Sequence, residues 1–214
     1  MKLKFAIDKK YDTEIAKGFG FSDKFIKKMD KKYRSILPFL ILTKKLYQKS
    51  WDEIGEEFSS YIEKKTGYKW FYPKYECIIS AVIMGASNWG KSPKIVRGWW
   101  ENPYFTRRIT AHELILSHYF EIIKRKYSRE KLKDGQIWAL AEIAAFALTS
   151  LTKDVNKWWP WNTEYYTNHN YKHLVEIQNK LKPIFLKSKN FNDYIQEGIN
   201  LIKKYPNINP KGIK

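Results

Sequence analysis

The chain has one cysteine, four histidines and, among forty basic residues, only six arginines. The lone Cys77 excludes an intramolecular disulfide framework and a cysteine-rich zinc site, and its place in an apolar run predicts a buried, inert thiol. Six arginines are too few for a nucleic-acid reader built on guanidinium forks. Lysines supply the rest of the basic charge and are scattered along the whole length. The net charge of +18 therefore predicts a solvated basic surface with no specific nucleic-acid partner. No run approaches the roughly 18 apolar residues needed to cross a bilayer, so no membrane partner is expected. The opening MKLKFAIDKKYD has too short an apolar patch for a signal peptide, which predicts a cytoplasmic protein.

What is present is a folded chain. With 43% hydrophobic and 17% aromatic residues, 214 residues are ample for a real core and exclude a disordered class. Helix signals fill residues 1–67. Ser22 is an N-cap before Phe25, Ile26, Met29 and Tyr33, Pro38 marks a break or kink, and Phe39, Leu40, Leu42, Leu46 and Tyr47 form another apolar face. Ser50-Trp51-Asp52-Glu53 reads as a capping box opening a helix that stops at Gly67. Two β-rich runs, Tyr75–Ser87 and Lys94–Trp100, flank the turn-like segment from Asn88 to Pro93 and predict a small antiparallel sheet. Trp99, Trp100 and Pro103 then bring a bulky wall toward the next helix, as core or as a substrate subsite.

That helix, within Tyr104–Phe120, carries His112, Glu113 and His118. A second apolar helix follows at Gly135–Thr152, with Asp134 as its cap and Glu142 set among alanines and leucines. A carboxylate there is costly unless paired or metal-bound. Trp158-Trp159-Pro160-Trp161 forms an aromatic loop. Beyond it, Tyr165–Leu181 carries His169 and His173 four residues apart, on one helical face. Pro183 is expected to end that helix, Asn190–Tyr205 to form one more, and Pro206–Lys214 to be a loose tail.

His112 and Glu113 resemble the first two positions of the zincin metallopeptidase motif, His-Glu-x-x-His on a helix, where two histidines bind zinc and the glutamate activates the metal-bound water. The resemblance implies a sheet edge in front of the motif helix to hold extended peptide. It also implies a further ligand from a downstream helix, as in the glutamate zincins, and Glu142 is placed to be that ligand. The chain departs from the motif at Leu116, where the second histidine belongs. In a regular helix His112 and Leu116 lie roughly 40° apart, whereas His112 and His118 lie roughly 120° apart with a rise of about 9 Å. The expectation is thus an α+β, helix-dominated single domain over 1–214, with a zincin-like core at 68–152 between helical parts at 1–67 and 153–214. Its function is expected to be zinc-dependent hydrolysis of a peptide or protein substrate, in active or degenerate form. Glu113 would be the general base, with His112, His118 and Glu142 as zinc ligands, and His169 or His173 would serve as replacement ligand or transition-state donor. Two alternatives stand beside it: a metal-free binding module on the same scaffold, and a nonspecific polyanion-binding helical protein.

Overall fold

A computed structural model describes residues 1–87, 92–160, 169 and 171–208. The turn residues Asn88 to Lys91, Trp161, the expected helix start at 165–168 and the tail from 209 lie outside the described residues. The fold is α+β and dominated by helix, in the order β1 (Lys2–Ala6), α1 (Lys9–Gly18), α2 (Asp23–Asp52), α3 (Gly55–Thr66), β2 (Lys74–Ser80), β3 (Gly85–Ser87), β4 (Lys94–Gly98), α4 (Phe105–Lys126), α5 (Asp134–Ser150), α6 (Leu174–Lys187) and α7 (Phe191–Ile202). No described helix is long and apolar enough to cross a membrane. The chain divides into two compact units, one of Met1–Phe58 with Tyr72–Ser117, the other of Ser59–Phe71 with His118–Lys214.

The first unit holds the sheet, in the order β1-β2-β4-β3. It is mixed, which corrects the expectation of an antiparallel pair. β1 and β4 flank β2 in parallel, and only β3 runs antiparallel, beside β4. The run Tyr75–Ser87 thus supplies two strands, and the opening residues supply a third that the charged sequence MKLKFA conceals. Cys77, Ile78 and Ile79 are all fully buried, as a strand sandwiched on both faces must be, so alternation could not fix its partner or direction.

Helix α2 corrects a second expectation. Pro38 lies inside it and does not break it. The proline faces solvent, so water can take the carbonyl its ring leaves unbonded. Because the helix continues, Phe39, Leu42 and Leu46 are 55%, 54% and 43% exposed, while Leu40 and Tyr47 are buried. Ser50 likewise does not cap α3; it lies within α2 and bonds elsewhere.

The second unit is helical. α5, α6 and α7 pack through Leu140, Ala144, Leu148, Ile177, Leu181, Ile195 and Ile199, all buried. Lys133 caps α5, one residue before the expected Asp134, and Asn190 caps α7 through its side chain. Pro183 sits inside α6 on its exposed side and does not end it.

Candidate functional site

Three polar residues on one face of α2, at spacings of four and three, hold the segment that follows β4. The Thr43 hydroxyl donates to the Trp99 carbonyl at 3.0 Å, and the Ser50 hydroxyl donates to the Pro103 carbonyl at 2.8 Å. Between them the Tyr47 hydroxyl lies 2.9 Å from the Gly98 carbonyl oxygen and 3.0 Å from that of Glu101, and accepts from the Glu101 N–H at 3.1 Å. Ser50 also accepts from Arg107 Nε at 2.9 Å, and Arg107 pairs with Glu53. The Trp99-Trp100 wall is therefore fixed by hydrogen bonds to a rigid helix.

Beneath it lies a buried cluster of charge. Arg97, 1% exposed on β4, pairs with Glu101, and both charges act on the neighbouring Cys77, as does Glu113. Burial pushes the Cys77 thiol up, so it stays neutral. Glu113, on α4, is buried and meets Arg97 at Gly85, which is paired with Arg97 across β3 and β4. A Cβ at position 85 would come within 2.5 Å of Arg97 Nη1 and 2.7 Å of Glu113 Oε1, so only glycine lets the strand pass this close. An arginine directly after Ile95-Val96 in a strand is the local signal for this cluster, one that the number of arginines does not carry.

A second buried network shapes the turn before β3. Asp12 of α1 accepts from the Ser80 hydroxyl at 2.5 Å and from the Ala81 N–H at 2.8 Å, while Ser80 Oγ accepts from the N–H groups of Val82 and Ile83. Burial raises the Asp12 carboxyl above its ordinary range, against these hydrogen bonds.

The two edges of the sheet differ. On β1 the Gln48 side chain accepts from the Phe5 N–H at 2.9 Å and donates to the Leu3 carbonyl at 3.1 Å, which seals that edge. On β3 the Gly98 N–H bonds to the Met84 carbonyl, so the antiparallel alternation turns the N–H and C=O of Gly85 and Ser87 outward. Among the described residues no hydrogen bond occupies that outer edge. A groove of about 920 Å³ lies between Ala81 and Val82, the Trp99-Trp100 wall and the first half of α2.

The other residues singled out from the sequence fall one in the first unit and four in the second. Helix α4 is α-helical without interruption from Phe105 to Lys126, so His112 and His118 diverge as the regular geometry requires. His112 is half-buried in the first unit, and Leu116, 2% exposed, belongs to its core. His118, 1% exposed, lies in the second unit between the rings of Trp70 and Phe71, at 4.7 and 5.2 Å between centroids. Phe71 in turn carries the Arg125 guanidinium at 4.8 Å. Neither nitrogen of His118 has a hydrogen-bond partner among the described residues. Burial lowers its pKa to about 4, against the opposing charge of Glu63.

Also in the second unit, Glu142 is half-buried within the otherwise buried run of α5, and it comes near Tyr171. Burial, then the Glu142 charge, pushes the Tyr171 hydroxyl up. His169 accepts from the Tyr171 N–H through Nδ1 at 3.1 Å. His173 is exposed and bonded to Glu176 at the start of α6.

The His118 ring is enclosed by aromatics, and among the described residues no group of three or more His, Cys, Asp or Glu is arranged to hold a metal ion. No protein-family model, curated protein or solved structure matches the chain.

Proposed function

We propose that this protein binds extended peptide by adding it as a strand to the outer edge of β3, a degenerate, metal-free use of a scaffold that resembles the zincins. The contrast between the two sheet edges carries the reading. An open row of N–H and C=O groups is a ready template for another chain, and proteins cover such edges unless they are used. Here Gln48 bonds along β1, while among the described residues no hydrogen bond reaches the outward groups of Gly85, which is half-buried, and Ser87, which is 8% exposed. Glu113 and Arg97 lie against the strand at Gly85, which supports a template held in place before peptide arrives.

The test is fluorescence anisotropy with a pool of labelled, unstructured ten-residue peptides. Saturable binding is expected. Ser87→Pro, which removes an outward N–H without touching the ladder to β4, should weaken it by at least about tenfold, the worth of one or two hydrogen bonds. Ser87→Ala should leave it unchanged, and peptides N-methylated at alternate residues should not bind. Equal binding of methylated and unmethylated peptides would rule out strand addition.

A second reading, zinc-dependent peptide hydrolysis, is favoured by the neighbourhood of Glu142, Tyr171 and His169 in the second unit. It requires about one zinc per purified chain, lost in Glu142→Ala and His169→Ala, and cleavage of the same peptides that a chelator stops. Zinc-free protein from zinc-supplemented growth, with the peptides bound but intact, would leave binding as the function.

A further inference from the structure

We infer that the groove near the start of β3 selects acidic peptides: it takes the carboxylate side chains of the segment lying beyond Gly85. This inference rests on the strand-addition reading and adds the chemistry of the ligand. Lys28, Lys31 and Lys32 line one side of the groove, at spacings of three and one that place them on the same exposed flank of α2. None of the three has an ion-pair partner among the described residues, and no carboxylate lines the groove. The one acidic residue between them, Asp30, is paired with Lys9 at 2.6 Å. Asp12, behind the wall at Ala81, is fully buried and bonded to Ser80 and Ala81.

The opposite side is apolar. Trp100 is 47% exposed, and Trp99 stands edge-on to it with ring planes at 89°, while Phe25, 37% exposed, adds a ring to the α2 side in the stripe of Lys28 and Lys32. A ligand here meets three cations on one flank and rings on the other, which suits acidic side chains interspersed with apolar ones. The groove approaches the strand template at Gly98, which donates to the Met84 carbonyl just before β3 and lies against both Trp100 and the Ile83 carbonyl, while the Asp12–Ser80 network fixes the backbone of Ala81 and Val82. A strand laid on Gly85–Ser87 and extended past Met84 enters it.

A single-stranded nucleic acid is the competing occupant of a basic, aromatic groove. The observations favour peptide. No arginine lines the groove, and the perpendicular Trp99 and Trp100 do not offer the parallel ring faces on which successive bases stack. Lysine ammonium groups suit single carboxylates, and the neighbouring edge recognises a polypeptide backbone.

The experiment is anisotropy with the full chain and three labelled probes: a twelve-residue peptide with a Val-Thr centre and Glu-Glu-Trp-Glu at both ends, the same peptide with Gln for Glu, and a twelve-nucleotide oligothymidylate. The acidic peptide should bind about tenfold more tightly than the Gln peptide near physiological salt, the sum of a few exposed charge pairs. Its advantage should shrink as salt rises. K28E/K32E, at exposed positions that leave the core untouched, should cut the preference to less than twofold while the Gln peptide binds as before. Equal binding of the acidic and Gln peptides would overturn the inference while leaving strand addition intact. Acidic-peptide binding that K28E/K32E abolishes and Ser87→Pro leaves unchanged would uphold the groove and overturn strand addition. An oligothymidylate that binds more tightly than either peptide and is the probe lost in K28E/K32E would overturn the inference in favour of nucleic acid. Failure of both peptides to bind would overturn both readings.

Discussion

His118 makes this protein sensitive to mild acid, by an amount its surroundings fix. A solvated histidine takes a proton near 6.5, whereas this one, enclosed by Trp70 and Phe71, takes it only near about 4. Between those values the unfolded chain holds a proton that the folded chain refuses, so stability is complete above pH 6.5, falls as pH drops toward 4 and levels off below it. At 1.36 kcal/mol per pH unit across that interval, the loss approaches about 3 kcal/mol. That is a large part of the 5–15 kcal/mol that typically separates folded from unfolded chains. Replacing His118 by Phe removes the titration, and because two ring nitrogens then no longer need partners, it should also stabilise the protein at neutral pH by about 1–3 kcal/mol. Urea unfolding of both proteins at half-unit steps from pH 7.5 to 4.5 gives the difference curve. Asp8, Asp12 and Glu63 titrate in both and largely cancel there. Parallel profiles for the two proteins would refute the reasoning, since they would mean that the imidazole is hydrated or partnered in solution.

Three further outcomes test the first unit. Gly85→Ala forces a methyl against Arg97 and Glu113 and should cost about 1–3 kcal/mol by overpacking; a urea midpoint unchanged from the parent would show that the ion cluster yields freely. Tyr47→Phe strips the hydroxyl that bridges Gly98 and Glu101 and should cost about 1–3 kcal/mol, with a shift in tryptophan emission as Trp99 and Trp100 loosen; an unchanged spectrum and midpoint would contradict it. Cys77, buried and held neutral, should resist Ellman's reagent in the native protein and react fully in denaturing urea; rapid native labelling would place it at the surface.

The helical part of the fold was legible where one apolar face recurs at three and four residues, as in α4 and the first half of α2. Proline misled at both Pro38 and Pro183 because its cost depends on which side of the helix it occupies. On a solvated face the unbonded carbonyl finds water, and the helix continues. The sheet was less legible. β1 meets β2 across some seventy intervening residues, and a strand buried on both faces carries no alternation to mark its direction. Short-range patterns locate such strands and leave their pairing open.

Within the candidate site, the sequence marked Glu113 by its place on an apolar helix and set its neighbours by analogy with a metal-binding motif. The structure gives it a different companion. A carboxylate in the interior needs a cation or several donors, and the cation at hand is Arg97, brought beside Glu113 by the pairing of β4 with β3 and admitted by the missing side chain of Gly85. Neither residue lies near Glu113 in the sequence, so no motif could have joined them. The consequence for function lies in stiffness. An edge strand of only three residues is a poor template unless something behind it prevents fraying. Here the backing consists of Arg97 bound to Glu101, Glu101 held by Tyr47, and Tyr47 rooted in a thirty-residue helix. That backing is what the proposed strand addition requires of so short a strand, and it is why Gly85→Ala and Tyr47→Phe should each weaken peptide binding as well as stability.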